Sequence, residues 1–155
     1  MPKRHETRHL PFAANDMLEL VADVGSYPKF LPWCHAVRLR KAWQEGHCSG
    51  FEADMVIKFK MFTETFTSAV RVDHANNSLK VEYVRGPFQN LTNSWKFVDD
   101  ETGCHLDFFV DFSFRNFILQ KVVTALFDEA MGKVVGAFET RAYAIYSTKN
   151  SLKAR

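Results

Sequence analysis

The side chains most able to do chemistry are histidines, cysteines and clustered carboxylates, and here their spacing argues against catalysis. His5, His9, His35, His47, His74 and His105 fall in predicted strand ends, loops or a charged first strand. None stands four residues from another on a helix, the spacing a helical metal site requires. Cys34, Cys48 and Cys104 lie far apart and form neither a CxxC pair nor a Cys/His cluster with zinc spacing. An odd, unpatterned cysteine count fits free or buried thiols in a reducing compartment. Cys34 and His35 are adjacent, and a strand sends adjacent side chains to opposite faces, separating nucleophile from base. Asp99-Asp100-Glu101 reads as a solvated turn, and Asp128-Glu129 as an exposed helix face. No phosphate-binding glycine loop, GxSxG, HExxH or Walker pattern occurs. The sequence therefore predicts no catalytic set, no metal and no catalytic cofactor.

Apolar binding is the chemistry the residues do support. Fifteen Phe dominate an aromatic fraction of 14%. Phe30, Leu31, Trp33 and Phe88 stand outside any clear periodicity, as lid or rim residues would. Lys29, Arg38, Arg40, Lys41 and Arg85 flank them, a combination that suits an anionic membrane surface. A net charge of +2 is too small to indicate DNA. The 155 residues fit one domain, expected over 1–148, with a polar, frayed tail over 149–155. The start, Met1-Pro2-Lys3-Arg4-His5-Glu6, lacks the apolar stretch of a signal peptide, and no run reaches the roughly 18 apolar residues of a membrane span. A cytoplasmic chain is expected, with room for peripheral contact at the inner face of the membrane.

The elements that must position these residues read as follows. Lys3 to Leu10 is an exposed edge strand ended by Pro11. Met17, Leu18, Leu20, Val21 and Val24 recur at helical spacing, with Asn15 or Asp16 near the start. Pro28 and Pro32 then allow a turn, one short helix and an apolar loop. Six strand candidates follow, the first from Val37 to Gln44. Phe51, Ala53, Met55, Ile57 and Phe59 alternate with polar residues. Phe66, Val70 and Val72 oppose Thr63, Thr65 and Thr67. Leu79, Val81 and Tyr83 mark another strand, and Leu91, Trp95 and Phe97 the next. Leu106, Phe108, Val110, Phe112 and Phe114 mark the last. Short connections favour an antiparallel meander. Phe117 to Tyr146 keeps helical spacing through Leu119, Val122, Val123, Leu126, Phe127, Ala130, Met131, Val134, Phe138, Ala142 and Ile145. Gly132 and Gly136 in this helix suggest close packing, a slight bend or room for a ligand. The fold class is α+β: a curved antiparallel sheet of about seven strands wrapped around a long C-terminal helix. Where sheet and helix diverge, inward aromatics would line a cavity.

The string from Val21 to Cys34, with its Tyr-Pro-x-Phe-Leu-Pro-Trp-Cys core, resembles the coenzyme Q-binding branch of the START-like, helix-grip superfamily. So do Phe66-Thr67-Ser68, Gly86-Pro87-Phe88 with Leu91 and Trp95-Lys96-Phe97, Cys104 to Phe108, Leu126 to Glu129, and Ala137 to Ala142. The resemblance implies a hydrophobic tunnel between sheet and C-terminal helix that holds ubiquinone or a related isoprenoid lipid. The role would be that of a carrier or chaperone supporting respiratory electron transport, with no reaction catalysed. The same branch contains a bacterial ribosome-association toxin, which gives the alternative: binding to the large ribosomal subunit and a block on subunit joining. Related helix-grip folds also include polyketide cyclases and aromatases, an enzyme reading that the missing acid–base pair disfavours.

On this reading Leu31, Pro32 and Trp33 form the mouth. Phe51, Met55, Phe66, Phe88, Leu91, Phe112, Phe127, Met131, Val134 and Phe138 form the walls. Tyr83, Thr65, Ser68 or Trp95 would meet the quinone oxygens.

Overall fold

The computed structural model describes residues 3–153, with side chains described for 3–146. Strand β1 (Lys3–Leu10) leads into helix α1 (Ala14–Ala22) and a 3-10 segment (Val24–Lys29). Six further strands follow: β2 (Cys34–Glu45), β3 (Cys48–Phe59), β4 (Phe62–Asp73), β5 (Ser78–Arg85), β6 (Phe88–Asp100) and β7 (Gly103–Phe114). Helix α2 (Phe117–Lys153) closes the chain. The frayed tail expected over 149–155 concerns side chains, and final residues, that lie outside the described set.

All neighbouring strands are antiparallel, and the sheet order is β1-β7-β6-β5-β4-β3-β2. Strands β2 to β7 therefore run as the expected meander, and β1 adds itself beside β7. This is the helix-grip arrangement: one face of the curved sheet holds α2, and its inward side chains make the core.

Several details depart from the sequence reading. α1 stops at Ala22 and the chain tightens into the 3-10 segment rather than continuing to Val24. Its N-cap is Ala13, without a side-chain cap. The capping work is done from across the fold: Asp99 Oδ1 accepts a hydrogen bond from the Ala14 N–H at 2.8 Å, satisfying one of the orphan donors of a helix start. Asp99 is thus a cap and not part of a solvated turn. Thr67 belongs to the outward set but is buried, because its hydroxyl donates to Asp54 Oδ1 at 2.5 Å beneath Arg40. On α2, Ile145 is exposed and Tyr146 is buried instead. Tyr146 donates its hydroxyl to the Asp16 carbonyl at 2.7 Å, which fixes the phase of the last turns against α1.

Gly132 and Gly136 serve neither close packing nor the cavity. A Cβ built at either glycine meets nothing within 4 Å, and neither borders the cavity described below. Close packing does not require them.

Candidate functional site

The two ends of the sheet's concave face are filled differently. At one end α1 lies between sheet and α2, and Leu18, Val21, Leu79, Phe97 and Cys104 are wholly buried there. At the other end no α-helix among the described residues takes the place of α1, and an apolar cavity of about 270 Å³ remains between β3–β7, the Leu31–Trp33 loop and the first half of α2. That volume lies just under the roughly 300–1,000 Å³ usual for small-molecule sites.

Most of the predicted site residues meet there. Leu31, Pro32, Trp33, Met55, Phe66, Phe88, Leu91, Trp95, Phe112, Met131, Val134 and Phe138 all border the cavity. Three do not. Phe51 is on the inner face opposite Val70, but stands four residues, about 13 Å, along β3 from Met55. Phe127 packs against Phe112, with ring centres 5.4 Å apart. Tyr83 supports the wall from behind: its hydroxyl accepts the Phe88 N–H at 3.2 Å. Thr65 is exposed on the other face of β4.

Phe88 is no loop residue. It opens β6, and a one-residue register shift between Phe88 and Asn90 turns it inward beside Leu91. Without the bulge, strand alternation would send it outward. It then gathers Phe66, Phe112 and Phe114 around its ring, at 5.0, 5.9 and 4.4 Å. The turn before it needs glycine. Gly86 has φ +139°, and a Cβ there would lie 2.7 Å from the Phe66 Cβ. A second aromatic group forms around Phe138, which meets Tyr27, Phe30 and Trp95 at 5.1, 5.3 and 4.9 Å.

The loop after the 3-10 segment and the β3–β4 hairpin meet at one end of the cavity. Trp33 has φ +66°, a strained conformation for a bulky residue. The strain is held by two contacts. The Lys58 N–H donates to the Trp33 carbonyl at 2.9 Å, and the indole packs edge-on to Phe59 at 5.3 Å.

The polar groups at the lining are few. Asn93 makes two hydrogen bonds: its amide donates to the Phe109 carbonyl at 2.8 Å, and its oxygen accepts the Trp95 indole N–H at 2.9 Å. Trp95 therefore has no spare donor for a ligand. The buried Tyr27 hydroxyl donates to the Val21 carbonyl, and burial pushes its ionisation far up. Burial likewise pushes the Cys34 thiol up to about 11, so it stays protonated and poorly nucleophilic at neutral pH. Ser68 is only 4% exposed and borders the cavity, and no described residue hydrogen-bonds its hydroxyl. Glu64 adds a half-buried carboxylate nearer the mouth. Sequence reasoning named Ser68 as one option among four. It missed Glu64, Asn93 and the inward strand positions Ile57, Phe62 and Val81, although the period-2 pattern already put Ile57 and Val81 on the inner face.

The profile of the polyketide cyclase/dehydrase and lipid transport family matches residues 10–139. The chain belongs to that family. It is 34% identical over 139 residues to the ribosome association toxin RatA of Rickettsia prowazekii, covering 88% of this chain and 92% of that protein. It is 29% identical over 145 residues to the mitochondrial coenzyme Q-binding protein COQ10 homolog B of Xenopus laevis, covering 91% of this chain and 58% of that protein. Among solved structures, an 18 kDa protein from Caulobacter crescentus superposes with a TM-score of 0.79 at 32% identity, covering 95% of this chain and 99% of the other. These relatives carry the names of a toxin and of a coenzyme-binding protein, and the family's description adds cyclases and lipid transport. Among the described residues no helix is long and apolar enough to cross a membrane.

Proposed function

We propose that the protein binds an uncharged isoprenoid lipid bearing an oxygen acceptor, with ubiquinone the best-supported member of that class, and carries it in support of respiratory electron transport. The observation behind this reading is the Ser68 hydroxyl, which faces a mostly aromatic and aliphatic cavity and has no hydrogen-bond partner among the described residues. A hydroxyl that faces the cavity with no protein partner is free to donate to a ligand. A quinone or ether oxygen would accept from it. The volume of about 270 Å³ suits a head group with the first part of a tail, the rest running past Leu31 towards Trp33. A tail gains about 0.8 kcal/mol per buried CH₂ only where the wall matches it, and the Phe88 and Phe138 clusters supply such a wall.

The test is native mass spectrometry of protein purified without detergent, with organic extraction of the same sample. A prenylated quinone or other neutral isoprenoid in near-stoichiometric amount is expected. Ser68→Ala should retain the fold and weaken binding of a short-chain ubiquinone roughly two- to tenfold, the worth of one hydrogen bond. Empty protein that also ignores added quinone would end this reading.

A second reading, association with the ribosome, is favoured by the 34% identity to a ribosome association toxin across nearly all of that protein. It predicts co-sedimentation with the large ribosomal subunit that weakens steeply with salt as phosphate contacts are lost. Absence of co-sedimentation at low salt would remove it.

A further inference from the structure

The three most exposed large apolar side chains lie on segments at one end of the sheet. Met61 is 89% exposed, Phe117 74% and Ile118 66%. Met61 is at the tip of the β3–β4 hairpin, between the cavity-lining Phe59 and Phe62. Phe117 and Ile118 open α2, directly before the cavity-lining Leu119. The start of α2 is tied to the β5–β6 turn, since the Arg115 N–H donates to the Pro87 carbonyl at 2.8 Å. The hairpin is tied to the Trp33 loop through Lys58. All these segments therefore frame one end of the cavity.

The charges on the same segments are nearly all positive. Lys58, Lys60, Arg85, Arg115 and Lys121 are exposed, and Glu64 is the carboxylate among them. Lys60 lies over the Phe59 ring at 5.9 Å and Lys121 over the Phe117 ring at 5.6 Å. Among the described residues Lys58, Lys60, Arg115 and Lys121 make no ion pair. Two of the basic residues first associated with a membrane face, Arg40 and Lys41, behave differently. Arg40 is held by Asp54 at 3.0 Å on the outer side of the sheet, and Lys41 by Glu52 at 3.5 Å.

We propose that this rim, built from Met61, Phe117 and Ile118 with Lys58, Lys60, Arg115 and Lys121 around them, docks the protein onto the anionic leaflet of a lipid bilayer. Apolar side chains enter the headgroup and acyl boundary, while unpaired cations meet anionic headgroups. Nucleic acid would explain the cations but not three bulky apolar residues held in water. The rim borders the cavity, so docking would bring the opening to the lipid phase. In that respect it rests on the lipid-carrier reading, but its test is separate.

Sedimentation with vesicles of phosphatidylcholine containing about a third phosphatidylserine gives the measurement. The protein should bind them, bind pure phosphatidylcholine vesicles far less, and release as salt is raised. The Met61→Ser/Phe117→Ser double variant should bind on the order of a hundredfold more weakly, from the loss of two inserted apolar groups. Lys60→Gln and Lys121→Gln should each cost roughly fivefold. The double variant alters exposed sites, so its thermal unfolding and its titration with a short-chain ubiquinone in solution should match the parent. Vesicle binding that survives the double variant would overturn the proposal. So would indifference to phosphatidylserine, or a concentration-dependent dimer in sedimentation velocity that only the double variant abolishes. Vesicle binding without any quinone binding would keep the docking surface and end the carrier reading.

Discussion

The two ends of the groove are made from the same kinds of residues and come out differently. At the α1 end, Leu18, Val21, Phe97 and Leu79 interdigitate until little space is left. At the mouth end, Met55, Phe66, Leu91 and Met131 are just as apolar, yet they face a cavity of about 270 Å³. What separates them is whether a third layer covers the gap between sheet and α2. Apolar lining alone thus does not make a core, since a core also needs an element to fill it.

Substitutions of similar chemistry should separate the two ends. Phe97→Ala removes a wholly buried ring from the filled end and should cost about 3–5 kcal/mol, lowering Tm by on the order of 10 °C. Met131→Ala at the mouth end should cost less than half as much, about 1–2 kcal/mol, because part of its surroundings is already empty. Equal losses in calorimetry would mean that the cavity is closed in solution. On the far side of α2, Gly132→Ala and Gly136→Ala should each stabilise by about 1 kcal/mol, since a Cβ meets nothing there. A fall in Tm for either would show that the helix surface is covered.

The smallest expected effect is one of pH. Burial pushes the thiols of Cys34, at the mouth end, and Cys104, at the filled end, up to about 11 from an ordinary 9.0. Between about pH 9 and 11 the unfolded chain releases these protons while the folded chain keeps them. Their contribution is therefore whole below pH 9 and declines as pH rises towards 11. Tm should fall across that window. The Cys34→Ala/Cys104→Ala double variant should lose that part of the slope, and an unchanged slope would refute the assignment.

The strands were legible because inward Phe, Met and Val alternate cleanly, as in Phe51 to Phe59 and Leu106 to Phe114. The Tyr27 to Cys34 string went further, pointing by resemblance to a family with a cavity. What stayed hidden depends on contacts between distant residues. The bulge that turns Phe88 inward is a property of the β6–β7 register. The cap that Asp99 gives α1 joins residues 85 apart. Tyr146 replaces Ile145 because Asp16 holds its hydroxyl. The exposure of Met61 and Phe117 could not be read from residue type, since apolar side chains at strand and helix ends usually turn inward.

The central claim is that the open end takes a quinone-bearing lipid and the filled end does not. Tryptophan fluorescence during titration with a short-chain ubiquinone tests it directly. Trp33 and Trp95 border the cavity, whereas Trp43 lies on β2, packed beside Arg71. Saturable quenching should survive Trp43→Phe and drop clearly in Trp33→Phe. Quenching that never saturates, or that disappears with Trp43 and not with Trp33, would contradict the account.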